Sequence, residues 1–227
     1  MVQPARPRRT PETASGAGRR AGSAPRSARP ARRREAWIGL GANLGETRAT
    51  LAAALAAIAA LPRTRLIGQS SLYRTAPIGA GGPDYLNAVA RIDTGLDPHE
   101  LLSQLLAIER LHGRARPHPN APRTLDLDLL MVDDLRVESA ALTVPHPRMH
   151  ARAFVLAPLA ELAPALSIPG RGRVDALLAD VAAQAVERLG DRDWHRAPRP
   201  APDAARTRDE DRRPARRTAR PMNETTR

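Results

Sequence analysis

Lysine and cysteine are both absent from the 227 residues, and aromatic side chains number only five: Trp37, Tyr73, Tyr85, Phe154 and Trp194. Without cysteine there is no disulfide framework, no thiolate nucleophile and no cysteine-held zinc. Without lysine there is no Schiff base and no GK[ST] phosphate loop. Any phosphate this chain handles must therefore be met by arginine, a metal ion or the backbone. No apolar run approaches the ~20 residues of a membrane span, and no signal-peptide core follows the N-terminal arginines. A soluble, cytoplasmic protein is expected.

Charge is abundant but uneven. The net +12 divides into +8 for residues 1–35, +5 for residues 196–227 and −1 for the stretch between them. From Gln3 to Glu35 there is no Ile, Leu, Met or aromatic residue. Such a segment has too little to bury to offset its conformational entropy. Residues 1–35 and 196–227 are therefore expected to be disordered tails around one domain at 36–195. A transit peptide would need an apolar helix face, which is missing. Arginine-rich tails can bind polyanions non-specifically, but the preferred reading is an extension of biased composition without a role.

Within 36–195, a short apolar run at 36–40 ends in Gly41-Ala42-Asn43-Leu44-Gly45 and predicts a strand and turn. Residues 47–61 predict an alanine- and leucine-rich helix stopped by Pro62. Strands are predicted at 65–74 and, by alternation, at 85–92. Asp97-Pro98-His99-Glu100 is a helix start with an N-cap acid, proline at N1 and glutamate at N3. The spacing of Leu101, Leu102, Leu105, Ile108 and Leu111 continues that helix to Gly113. A basic loop, 114–123, leads to a strand at 124–132 and a further short one at 135–137. A helix at 152–162 interrupted by Pro158 and an amphipathic helix at 174–189 complete the reading. The order β-α-β-β-α-β predicts an α+β fold of the ferredoxin-like, split βαβ kind, an antiparallel sheet with helices on one face.

The chemistry lies in Pro122-Arg123-Thr124-Leu125-Asp126-Leu127-Asp128-Leu129-Leu130. In a strand, Asp126 and Asp128 share one face, roughly 6.5–7 Å apart at Cα, while the leucines take the other. That spacing suits one magnesium ion or a pair, which bind through few carboxylates plus substrate phosphates. An ordinary solvated strand face is the competing explanation, and aspartate is poorly suited to strands. Arg114, Arg116 and Arg123 stand just ahead of the acids and offer planar forks for phosphate oxygens. Cations beside a two-acid metal site are what polyphosphate transfer needs.

With these residues in view, the sequence resembles the 6-hydroxymethyl-7,8-dihydropterin pyrophosphokinases of folate biosynthesis over about residues 36 to 169. The resemblance rests on Gly39-Leu40-Gly41-Ala42-Asn43-Leu44-Gly45, on Ser70-Ser71-Leu72-Tyr73-Arg74-Thr75-Ala76-Pro77, and on Pro83-Asp84-Tyr85-Leu86-Asn87. It rests further on Glu109 with Gly113-Arg114-Ala115-Arg116, on PRTLDLDLL, and on Thr143-Val144-Pro145-His146 with Met149, Arg152 and Phe154. It implies transfer of diphosphate from ATP to the hydroxymethyl oxygen of the pterin, releasing AMP. Asp126 and Asp128 would ligand two Mg2+ ions, with Arg114 and Arg123 completing the catalytic set. Arg114, Arg116, Arg123 and Arg152 would hold phosphates, and Glu109, Leu129, Thr143 and His146 would contact the nucleotide. Thr75, Ala76, Ile78, Tyr85, Asn87 and Phe154 would form the pterin pocket. The partners implied are ATP and 6-hydroxymethyl-7,8-dihydropterin, handled by a monomer.

The residues themselves make that pocket credible. Phe154 and Tyr85 are rare aromatics able to stack on a flat heteroaromatic ring, worth about 0.5–1.5 kcal/mol beyond burial, and Asn87 offers an amide to its edge. Phe154 as an ordinary core aromatic is the alternative, and Tyr73 reads as structural. Asp128 is the candidate proton acceptor. Departures are Pro119-Asn120 where many relatives carry an arginine–tryptophan pair, which puts loop closure in doubt, Ala76 for a proline and Ala153 for a glycine. The rival of another class is a ferredoxin-like RNA-binding module with basic arms, which Asp126 and Asp128 on the sheet would oppose by repelling a phosphate backbone.

Overall fold

The structure is a computed structural model, and it describes residues 32–77, 82–113, 123–190 and 193–195. The expected disorder of both tails therefore lies outside the described residues, apart from 32–35. Ile78, Arg114, Arg116 and Pro119-Asn120 lie outside them as well.

In chain order the elements are β1 (Arg34–Ala42), α1 (Thr47–Ala59), β2 (Thr64–Gln69), β3 (Tyr73–Thr75), β4 (Tyr85–Thr94), α2 (Pro98–Leu111) and β5 (Asp126–Val132). There follow β6 (Val137–Glu138), β7 (Thr143–Val144), α3 (Ala153–Leu162), β8 (Ser167–Ile168), β9 (Gly172–Arg173), α4 (Val174–Asp180) and β10 (Glu187–Arg188). The main sheet is antiparallel and runs β10-β3-β4-β1-β5, with β2 also paired to β4. The protein is thus α+β, as expected. The first strand starts two residues ahead of the expected boundary, because Glu35 N–H bonds Asp133 Oδ1 at 2.8 Å and Arg34 pairs with Thr94.

Two cores explain the architecture. Ile38 and Leu40 of β1, Ala88 and Ala90 of β4 and Leu127 and Leu129 of β5 pack with α1 and α2. In α1 the buried set Leu51, Ala54, Leu55 and Ile58 forms one stripe at helical spacing. Trp37, Val89, Leu130 and Met131 point to the other face and meet Val155, Leu156 and Leu159 of α3 and Val174 of α4. Helices therefore cover both faces, not the one face expected. Each fully buried leucine or isoleucine contributes about 1.5–3 kcal/mol, so both layers are needed.

Three local expectations are corrected. The strand at 65–74 is broken into β2 and β3, both lying along β4, because Ser70 and Ser71 are drawn inward. Ser70 N–H bonds Val89 O at 2.9 Å and its hydroxyl bonds Ser71 O at 2.8 Å. Pro158 does not interrupt α3, whose neighbours Ala157 and Leu159 are buried in the second core. The helix at 174–189 stops at Asp180, since the residues after it are taken by tertiary hydrogen bonds to α3 and β3. The α2 start is as expected: Asp97 accepts from His99 N and Glu100 N, and Glu100 returns the bond to Asp97 N.

Candidate active site

β5 is the end strand of the sheet, and its alternation places Leu127 and Leu129 in the first core and Asp126 and Asp128 on the opposite face. Its neighbour β1 sets Gly39 against Asp128 and Gly41 against Asp126, and β4 sets Asn87 against Gly41. Leu130 packs over Gly39, while Gly41 leaves a gap in the floor between Asp126 and Asn87. A Cβ at Gly41 would stand 3.4 Å from Asn87 Oδ1 and 4.0 Å from Asp126 Cβ.

The acids differ in their surroundings. Asp126 Oδ1 lies 2.8 Å from Nη1 of Arg123. Asp128 is held above the usual carboxylate range, first by burial and then by the neighbouring Asp126. Burial, the same dominant cause, lowers His146 and Arg152, and the arginines nearby add to both shifts while Asp128 opposes them. Burial also works against the charge of Arg123, but Asp126 and the Tyr85 hydroxyl raise its proton affinity overall. His146 Nδ1 accepts from Arg148 N–H at 3.2 Å, which leaves Nε2 as the donor of the neutral ring.

A cleft of about 340 Å³ opens beside β5, and Asp128, Leu129, Thr143 and His146 all line it. Its apolar walls include Leu102 and Leu106 of α2 and Leu142, which the sequence reading did not assign to a site. Leu102 and Leu106 are four apart on α2, so their shared face was the available signal. Glu109, expected at the nucleotide, is instead fully buried, and its Oε1 accepts from Leu127 N–H at 2.8 Å. That bond braces α2 against β5 behind the acids.

Of the expected pterin residues, Thr75, Tyr85 and Asn87 lie together at one end of the sheet, with Asn87 across β1 from Asp126. Thr75 pairs with Tyr85 and Tyr73 with Asn87 across β3 and β4. Asn87 Nδ2 donates to Thr75 Oγ1 at 2.9 Å, leaving its Oδ1 toward the Gly41 floor. Ala76 follows Thr75 and is exposed. Phe154, in the first turn of α3, is half-buried against the second core, and the Arg152 guanidinium lies 5.4 Å from its ring centroid. Asn43, almost fully buried, ties these parts together: Nδ2 donates to Pro83 O at 3.2 Å and Oδ1 accepts from Arg123 N–H at 2.8 Å.

Paired carboxylates are oxygen donors of the kind magnesium prefers, and a divalent cation would relieve the repulsion that raises Asp128. Among the described residues no cluster of three or more His, Cys, Asp or Glu could hold a metal ion. Two carboxylates would leave the remaining positions of such an ion to substrate and water.

Comparison with known proteins agrees with this geometry. Residues 37–164 match the family described as 7,8-dihydro-6-hydroxymethylpterin-pyrophosphokinase (HPPK). The chain is 46% identical over 154 residues to the 2-amino-4-hydroxy-6-hydroxymethyldihydropteridine pyrophosphokinase of Pseudomonas aeruginosa, covering 67% of this chain and 95% of that one. It is 44% identical over 143 residues to the protein of the same name from Methylorubrum extorquens, covering 63% and 90%. Among solved structures, Plasmodium falciparum HPPK-DHPS with pterin and p-hydroxybenzoate aligns with a TM-score of 0.54 at 14% identity. That alignment covers 67% of this chain but only 44% of the Plasmodium one, and supports the fold alone. The chain belongs to the 7,8-dihydro-6-hydroxymethylpterin-pyrophosphokinase family.

Proposed function

We propose a residue-level account of the family's reaction in this chain. As a member of the family it transfers diphosphate from ATP to the hydroxymethyl group of 6-hydroxymethyl-7,8-dihydropterin, releasing AMP, in folate biosynthesis. The single observation that carries the account is the placing of Asp126 and Asp128 on one face of β5. Arg123 is paired to Asp126, and the Asp128 end opens on a cleft. The rival RNA-binding reading finds no support.

Asp126 and Asp128 hold magnesium, for which we propose two ions. Magnesium, when bound, neutralises the polyphosphate charge and polarises the oxygens of the group in transfer. Arg123 and Arg152, with Arg114 and Arg116 outside the described residues, hold the phosphates by forked hydrogen bonds. Leu129, Thr143 and the Nε2 of His146 face the nucleotide in the cleft, and the leucines of α2 exclude water around it. Glu109, through the strand it braces, supports the nucleotide side of the site. Thr75, Ala76, Tyr85, Asn87 and Phe154, with Ile78 outside the described residues, receive the pterin, which stacks on the aromatic rings and pairs at its edge with Asn87. Asp128 is the proposed acceptor of the hydroxymethyl proton.

Among the described residues no helix is long and apolar enough to cross a membrane. A cytoplasmic location is proposed because ATP is a substrate. The test is AMP formation by purified protein with ATP, the hydroxymethyl dihydropterin and Mg2+. AMP should appear only when all three are present, and Asp126→Ala and Asp128→Ala should each abolish it. Near wild-type AMP production by either variant would remove that aspartate from the mechanism.

A further inference from the structure

The match to the family model ends at residue 164, and the chain after it packs back onto the domain. After α4 it turns back and touches the molecule at two places that flank the proposed pterin pocket. At the first, the Gln184 side chain closes the start of α3. Its Oε1 accepts from Ala153 N–H at 2.9 Å and its Nε2 donates to Ala151 O at 2.9 Å. The N-cap position, Arg152, supplies no side-chain bond of its own, so Gln184, 31 positions after Ala153, does the capping. The residues so fixed, 151–153, lead directly to Phe154.

At the second place, β10 adds a strand to the outer edge of β3, pairing Arg188 with Tyr73 and Glu187 with Arg74. Leu189 N–H then bonds Leu72 O at 2.8 Å, and the buried Trp194 donates Nε1–H to Ser70 O at 2.8 Å. β3 is only three residues long and ends at Thr75, the partner of Tyr85 and Asn87. Arg188 also reaches inward, donating to Ser71 Oγ at 3.1 Å and to Glu161 Oε1 at 3.2 Å. Glu161, on α3, accepts from Ser71 N–H at 3.1 Å and from the Tyr73 hydroxyl at 2.9 Å. Burial pushes the Glu161 carboxyl up, but the bonds from Tyr73, Ser71 and Arg188 hold it below its usual range. The carboxylate thus stays charged where it joins α3, β3 and β10.

We propose that Gln184 and Arg188 are positioning residues for the pterin: the segment that carries both ties the helix end bearing Phe154 to the strand bearing Thr75, and so sets the pocket between them. The inference rests on the pterin-pocket assignment made under the proposed function. Its consequence is selective. Among the described residues the hydrogen bonds of Gln184 and Arg188 run to residues 151–153, Ser71, β3 and α3 rather than to the α2, β5 and 139–147 walls of the nucleotide cleft, so the loss should fall on the pterin side.

The test uses the full chain carrying Gln184→Ala, Arg188→Ala or Phe154→Ala. Dissociation constants are measured for the hydroxymethyl dihydropterin, in the presence of a non-hydrolysable ATP analogue and Mg2+, and for the analogue alone. Gln184→Ala and Arg188→Ala should each weaken dihydropterin binding by about five- to tenfold, as expected for the loss of one or two hydrogen bonds. Binding of the analogue should stay within about twofold, with the circular dichroism spectrum unchanged. Gln184→Glu keeps the acceptor for Ala153 and loses the donor to Ala151, so it should fall between wild type and Gln184→Ala. It also replaces the alanine variant if that one does not fold. Unchanged dihydropterin affinity in folded Gln184 and Arg188 variants, or equal weakening of both ligands, overturns the inference while Phe154→Ala still weakens the pterin. If Phe154→Ala leaves the pterin affinity intact, the pocket assignment fails and the inference falls with it.

Discussion

Arg123 and Asp126 form an ion pair, Nη1 to Oδ1 at 2.8 Å, with both side chains largely withdrawn from water. The arginine proposed for phosphate and the acid proposed for magnesium therefore neutralise one another in this state. When substrate binds, Arg123 would release Asp126 to hold the cation and offer its guanidinium to the phosphate. Arg123→Ala should lower kcat by about 10²–10³-fold, the usual cost of losing one preorganised donor to the transition state. Arg123→Lys should recover only part of this, because an ammonium cannot reproduce the fork. Steady-state AMP formation at saturating substrates is the measure. A loss of kcat below about threefold would contradict the phosphate role, since it is far short of a charge-assisted bond.

Asp128 gives a prediction in which stability and activity move oppositely. Its folded-state proton affinity is raised by burial and by Asp126, so the ionised form is disfavoured by folding. Such a group costs stability at pH values above its raised folded pKa. The cost fades as the pH falls toward the unfolded value of about 3.9. Asp128→Asn should therefore raise Tm at neutral pH in the absence of metal, by about 2–4 °C per kcal/mol recovered, and the gain should shrink toward pH 4. The same variant should lose AMP formation. Thermal unfolding of both proteins across pH 4–8 checks the sign, and a constant or negative Tm difference would contradict it.

Asn43 bonds to both sides of the site, to Pro83 O ahead of Tyr85 and to Arg123 N–H ahead of Asp126. Removing the amide takes a partner from the exposed Pro83 carbonyl and from the half-buried Arg123 N–H, at about 0.5–1.5 kcal/mol each. Asn43→Ala should reduce kcat/KM for ATP and for the pterin together, by about tenfold or more. Binding titrations of the two ligands separate this joint loss from the selective one expected for Gln184 and Arg188. An effect on one substrate alone would show that Asn43 does not link the two halves.

How much of this was legible in the sequence follows from the range of each interaction. Asp126 and Asp128 could be paired on paper because a strand has period two, and the capping box at Asp97 is complete within four residues. The two-sided packing was not legible. Trp37, Val89 and Leu130 interleave with glycines and acids on their face, so no clean apolar alternation marks a second core. Ser70 and Ser71 look like ordinary strand residues until Glu161, 90 positions away, binds Ser71. Gln184 sits in a helical period, yet its side chain is spent on Ala151 and Ala153. Leu102 and Leu106 share a face of α2, but that pattern alone does not tell a core wall from a cleft wall. Tertiary partners decided each of these against a local pattern.

Gly41 supplies the last prediction. It lies one residue before the end of β1, paired with Asp126 on one side and Asn87 on the other. A methyl group there meets Asn87 Oδ1 at 3.4 Å and Asp126 Cβ at 4.0 Å. These are ordinary contacts, so Gly41→Ala should fold. Removing glycine from a strand should in fact stabilise the protein by about 0.5–1 kcal/mol. The same methyl group occupies the floor between the acids and the amide proposed to meet the pterin edge. The KM for the pterin should rise by about tenfold, the scale of overpacking a fitted site, while the KM for ATP stays near its wild-type value. Tm and the two KM values measured on one preparation decide it. A pterin KM equal to wild type in a more stable protein would place the ring away from Gly41.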